Sequence, residues 1–147
     1  MISWTVPVEL PETTDTEAFG EELGRELGAG DLVVLSGPLG AGKTALVRGL
    51  ARGLQVAGPI TSPTFVIARE HRPLPGGPGV SLVHVDAYRL GGIEELDDLD
   101  LDTDLTEAVV AVEWGEGVAE RLADRHVLVT LERRPDDVRV ARAERMS

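Results

Sequence analysis

Apolar positions along the chain fall alternately into short continuous runs and helical stripes. Leu32-Val33-Val34-Leu35 is an unbroken apolar run of strand length, which reads as a buried strand. Leu46, Val47, Leu50 and Leu54 follow at helical spacing, and this helix is expected to stop between Gly53 and Gly58. Upstream, Thr14 and Glu17 have the spacing of a capping box, with Thr14 as N-cap. Phe19, Leu23 and Leu27 continue from it as an amphipathic stripe that Gly28-Ala29-Gly30 ends. Residues 65–69, 80–85, 108–112, 126–131 and 138–141 read as further strands. The second of these runs into Asp86 and the third into Glu113. The Pro- and Gly-rich stretch 73–79 supports neither helix nor strand interior and is expected to be an exposed turn between two strands. Gly91-Gly92 breaks the chain before a short helix over 93–99, and Val118, Ala119 and Leu122 suggest another. No internal repeat is present. This order predicts one three-layer α/β domain over residues 1–147, with a largely parallel core sheet.

Composition narrows the function. A length of 147 residues suits a single domain, and 42% hydrophobic residues is ordinary for a globular protein. No apolar run approaches the ~20 residues that cross a bilayer. Met1-Ile2-Ser3-Trp4 lacks the charged and apolar regions of a signal peptide, so a cytoplasmic protein with no membrane partner is expected. Cysteine is absent, which removes disulfides, thiolate chemistry and Cys-based zinc sites. The formal net charge of −12 is wrong for a chain that grips DNA or RNA alone, because phosphate contacts need a basic footprint. Arg133, Arg134, Arg139, Arg142 and Arg145 cluster near the C-terminus and read as balancing an acidic surface.

The chemistry concentrates where the first buried strand meets its helix. Gly37-Pro38-Leu39-Gly40-Ala41-Gly42-Lys43-Thr44 fits G-x-x-x-x-G-K-[ST], the phosphate-binding P-loop. Strand before and helix after are the context that pattern requires, so the expected architecture is a P-loop NTPase fold. Gly37, Gly40 and Gly42 allow a tight turn close to phosphate. Backbone N–H groups from Leu39, Gly40, Ala41 and Gly42 through Ala45, together with the helix dipole, attract the anion. Lys43 is expected to reach the β- and γ-phosphates, and the Thr44 hydroxyl to ligate Mg²⁺.

Ligands of open α/β sheets bind outside the carboxyl ends of the strands, where Asp86 and Glu113 both fall. One of them is expected to bind Mg²⁺ directly or through water, and the other to orient or deprotonate an attacking water. Thr64, in Ser62-Pro63-Thr64, is a candidate to ligate Mg²⁺ or to sense the γ-phosphate from a switch-like loop. The aspartates at 97, 98, 100, 102 and 104 do not form an EF-hand, since neither register supplies the Gly and Glu that loop needs. His71, His84 and His126 lie in different segments, which argues against a metal cluster. His84 alternates with Val83 and Val85, so its ring either faces the nucleotide side or packs.

The P-loop, then Ser62-Pro63-Thr64-Phe65, then His84-Val85-Asp86-Ala87-Tyr88-Arg89-Leu90, then Glu113-Trp114, occur in that order. Together they resemble the bacterial TsaE family, also called YjeE, over nearly the whole chain. The resemblance implies a small ATPase that uses ATP and Mg²⁺. It would be needed for threonylcarbamoyladenosine beside the anticodon of tRNA, acting with TsaB and TsaD and meeting tRNA through that complex. It also implies roles: Lys43 on the phosphates, Thr44 and Glu113 on Mg²⁺, Asp86 as the Walker-B-like acid, and Thr64 in a switch-like loop. Adenine is implied near Glu12, Thr13 and Thr14, and Tyr88 and Trp114 match motif aromatics. Gly91-Gly92 and the aspartate run depart from the family's usual helix after Asp86.

Three other readings share the P-loop. A small-molecule kinase needs an acceptor pocket and usually an Arg-bearing lid, but the segment between Asp86 and Glu113 is acidic. A GTPase switch needs an Asn-Lys-x-Asp segment, which this chain lacks. A nucleotide-gated binding module reset by slow hydrolysis overlaps with the family role.

Overall fold

The structure is a computed structural model, described over residues 4–37, 42–58, 68–86, 108–113 and 126–146. Its elements in chain order are β1 (Val8–Leu10), α1 (Thr13–Arg25), β2 (Leu32–Ser36), α2 (Lys43–Leu54), β3 (Ala68–His71), β4 (Ser81–Asp86), β5 (Ala108–Glu113), β6 (His126–Arg133) and β7 (Arg139–Met146). The seven strands form one sheet in the order β1-β7-β6-β2-β5-β4-β3. The four central strands β6, β2, β5 and β4 are parallel, and β1, β7 and β3 join antiparallel at the two sides. The parallel core is therefore as expected. The short helices expected over 93–99 and after Glu113 lie outside the described residues. The helical layer described is the α1–α2 pair.

Both faces of β2 and β5 are buried. Val33 and Leu35 of β2 and Val109 and Ala111 of β5 join the core cluster with Phe19, Leu23, Leu46 and Leu50 of the helices. Leu32, Val34, Val110 and Val112 on the opposite face are also buried. Burial on both faces explains why these strands are continuous apolar runs rather than alternating ones.

Four helical glycines dock α1 on α2. A Cβ at Gly49 would lie 2.0 Å from the Glu17 carbonyl oxygen, and one at Gly53 would lie 2.3 Å from that of Glu21. In the other direction, a Cβ at Gly20 would lie 2.2 Å from the Leu46 carbonyl and one at Gly24 would lie 2.7 Å from that of Leu50. The backbones thus meet where any side chain would hold them apart. An ion pair between Arg52 and Glu17 flanks the contact.

Several boundaries differ from the sequence reading. The N-cap of α1 is Glu12 rather than Thr14. Asp15 Oδ2 accepts the Glu12 N–H at 2.9 Å, so the reciprocal spacing of three is kept but begins two residues earlier. The helix ends at Arg25, capped by Glu26, short of Gly28. Helix α2 does end within the expected window, at Leu54, with Gln55 as a left-handed C-cap at φ of 55°. Gly53 is occupied in the contact with α1. β1 was not expected. It is three residues long between Pro7 and Pro11, and its partner β7 lies at the other end of the chain.

The antiparallel strand β3 carries a titratable group in the interior. His71 is buried, its Nδ1 lies 3.1 Å from the Ala57 carbonyl, and its Nε2 has no partner. Burial lowers its pKa from the ordinary value. The Ala57 contact opposes this, and His84 and Arg69 add to the lowering. The neutral ring, with Nδ1–H donating to Ala57, is therefore the folded form. Because the folded pKa is depressed, the unfolded chain binds the proton more readily. The stabilisation is complete above the ordinary histidine range and is lost as pH falls through it toward the folded value. Urea unfolding midpoints of the wild type should fall between about pH 7 and about pH 5. They should fall less in His71→Gln, and parallel pH profiles for the two proteins would contradict this.

Candidate functional site

Strand β2 delivers the chain to Gly37, the first residue of the G-x-x-x-x-G-K-T motif, at the carboxyl end of the parallel strands. Gly37 follows β2 directly, and a Cβ there would lie 2.6 Å from the Leu131 carbonyl, so the turn runs against β6 where no other residue fits. Leu39, Gly40 and Ala41 lie outside the described residues. Gly42, with φ of 101°, is the N-cap of α2, a left-handed conformation that glycine takes without strain. Lys43 is the first helical residue and only 6% exposed. Its Nζ donates to the Gly37 carbonyl at 2.5 Å, which folds the ammonium back over the mouth of the loop. Thr44 stands beside it in the first turn, and Ala45 is buried.

The neighbouring strand ends bring acids to the same level. Glu113 pairs in register with Leu35 of β2 on one side and Asp86 of β4 on the other. Asp86 is thus placed at the strand end opposite Glu113, as expected. Glu113 is 6% exposed, and its Oε2 lies 2.5 Å from Nε2 of buried His84. The open question about His84 is settled in part: its ring points at a candidate catalytic carboxylate.

Glu12 and Thr13 lie beside the N-terminus of α2. With Thr16, Gly42, Ala45 and Arg139 they line a cleft of about 100 Å³. The expected adenine-side residues are therefore adjacent to the N-terminus of the P-loop helix, and Arg139 is on the same cleft. Thr16 was not singled out from sequence. It is buried and comes to Gly42 only because the glycines seat α1 on α2. Thr64, Tyr88 and Trp114 lie outside the described residues. Among the described residues no group of three or more His, Asp or Glu forms a metal cluster, and no helix is long and apolar enough to cross a membrane.

Residues 10–142 match the family model for the threonylcarbamoyl adenosine biosynthesis protein TsaE. The chain belongs to the TsaE family. It is 59% identical over 140 residues to the tRNA threonylcarbamoyladenosine biosynthesis protein TsaE of Mycobacterium tuberculosis H37Rv, covering 90% of this chain and 82% of that one. Its identity to the TsaE of Streptomyces coelicolor is 56% over 120 residues, covering 81% and 80%. The crystal structure of Bacillus subtilis YdiB superposes with a TM-score of 0.73 at 26% identity, covering 96% of this chain and 84% of that one. The match to TsaE runs from the last residue of β1 into β7, and so includes residues 37–44, Asp86, Glu113 and the strands that set their register.

The surface arginines agree with the charge reading. Arg133 pairs with Asp137, Arg134 with Asp136, and Arg142 with Glu144. Arg145 stacks over Trp4 at 4.4 Å from the ring centroid. Asp136 is held below the usual carboxylate range by its hydrogen bond from Arg134. Arg133, Arg134 and Arg142 thus neutralise neighbouring acids.

Proposed function

We propose that this chain is a Mg-ATP-binding, ATP-hydrolysing P-loop protein of tRNA threonylcarbamoyladenosine biosynthesis, acting in the cytoplasm with TsaB and TsaD counterparts. The observation that carries the reading is the convergence of Lys43, Gly37 and Glu113 at the carboxyl ends of β2 and β5. An ammonium beside the Gly37 carbonyl at a helix N-terminus is placed to meet the same anion that the helix dipole attracts. A buried carboxylate one strand away supplies the hard oxygen a magnesium nucleotide takes. These residues fit the group.

In this reading Lys43 holds the β- and γ-phosphates, while Gly42, Thr44 and Ala45, with Leu39, Gly40 and Ala41, cradle them from the backbone. Thr44 and Glu113 hold Mg²⁺, which neutralises phosphate charge. Asp86 orients the attacking water and accepts its proton. Glu12 and Thr13 border the base, and Thr64 reports the γ-phosphate to partners. The acidic surface leaves tRNA binding to those partners.

Incubation with ATP followed by product separation tests the reaction. We expect free phosphate, slowly from the chain alone and faster once TsaB and TsaD counterparts are added, since an arginine finger supplied by a partner accelerates hydrolysis ~10³–10⁵-fold. A phosphorylated metabolite in place of phosphate would establish a kinase. Fast phosphate release that the partners leave unchanged would refute partner dependence.

A further inference from the structure

We infer that His84 is a positioning residue for Glu113, a role that rests on the Mg-ATP reading of that carboxylate. Strands β4 and β5 are parallel and in register, with His84 opposite Ala111 and Asp86 opposite Glu113. The Glu113 carboxylate meets the His84 ring, and the histidine and glutamate side chains are 2% and 7% exposed. In a space that excludes water, a hydrogen bond is electrostatically strong and a lost partner is costly. The ring Nε2–H donates to Oε2 and fixes a side chain that otherwise has three rotatable bonds. Oε1 is left as the oxygen for a cation or its bound water. The carboxylate is thus held as a one-oxygen ligand at the level of Leu35, two residues before the P-loop begins. Partners that orient a metal's ligands commonly change metal affinity 10–100-fold when removed. The strand sequence Ser81–Asp86 places His84 on the face of Leu82, among apolar neighbours.

The test compares His84→Phe, which keeps the ring shape without a donor, with His84→Gln, whose amide nitrogen reaches the position of Nε2. ATP binding is titrated against Mg²⁺ for each, and imidazole N–H signals are followed by NMR in the nucleotide-free protein. We expect His84→Phe to need about tenfold more Mg²⁺ or above while its Mg²⁺-free ATP affinity stays unchanged, and His84→Gln to recover most of the loss. The wild type should show an exchange-protected His84 ring N–H signal that Glu113→Ala abolishes. A Mg²⁺ requirement in His84→Phe equal to wild type would overturn the proposal. Should that variant not fold, His84→Asn, whose shorter amide falls short of Oε2, replaces it, and equality of the asparagine and glutamine variants would overturn it in the same way. A wild type whose ATP binding ignores Mg²⁺ would remove the magnesium reading and this proposal together. A protected ring signal that survives Glu113→Ala would remove the proposal alone.

Discussion

Lys43→Ala should lose ATP affinity about 10- to 150-fold, because a charge-assisted contact contributes roughly 1.5–3 kcal/mol and each 1.4 kcal/mol is tenfold. Lys43 is buried and is the first residue of α2, so its positive charge sits at the positive end of the helix dipole. Its Nζ donates to the neutral Gly37 carbonyl. Nucleotide should raise the unfolding temperature of the alanine variant less than that of the wild type. Calorimetric titration and thermal unfolding with and without ATP measure both. Unchanged affinity in a folded variant would end the P-loop assignment.

Gly49→Ala should destabilise the fold by about 2 kcal/mol or more, within the usual range for overpacking a tight contact. For a domain of this size that is a fall of roughly 5–10 °C in Tm. The sign decides the matter. In an open helix interior, alanine is worth about 0.5–1 kcal/mol more than glycine, so a helix without the close contact would be stabilised. Here the new methyl would lie 2.0 Å from the Glu17 carbonyl and 2.8 Å from the Glu21 nitrogen, both backbone atoms. They can move only by shifting α1. Gly28→Ala is the control, since nothing lies within 4 Å of its added Cβ. Because α1 also carries Glu12 and Thr13 to the cleft beside Gly42, Gly49→Ala should weaken ATP binding as well as the fold. Stabilisation by alanine at position 49 would contradict the docking described.

Those two positions also mark what sequence can and cannot reveal. Strands β2, β4 and β5 and helix α2 were legible because their apolar runs are long and their buried faces uniform. The P-loop pattern, which is local, placed Gly37, Gly42, Lys43 and Thr44. Asp86 and Glu113 were legible as strand ends. Their pairing as neighbours follows from parallel register, which no local pattern carries. The bond from His84 to Glu113 was hidden for the same reason, since it crosses between strands 29 positions apart. Strand β7 runs on to Met146, past the expected end at 141, because its core positions there are alanines with little hydrophobic signal. The four glycines of α1 and α2 read as weak helix positions in isolation. Only the crossing of the two helices turns them into the feature that brings Glu12, Thr13 and Thr16 to Gly42.

An amide NMR titration of the isotopically labelled chain with ATP and Mg²⁺ tests the central claim most directly, because it reports both binding and its location. The largest shifts should fall on Gly42, Lys43, Thr44 and Ala45, with a second group at Glu12, Thr13 and Thr16 and a third at Glu113. They should saturate at one nucleotide per chain. An absence of shifts, or shifts centred on Asp31, His126 and Arg145 at the opposite end of the sheet, would contradict the account.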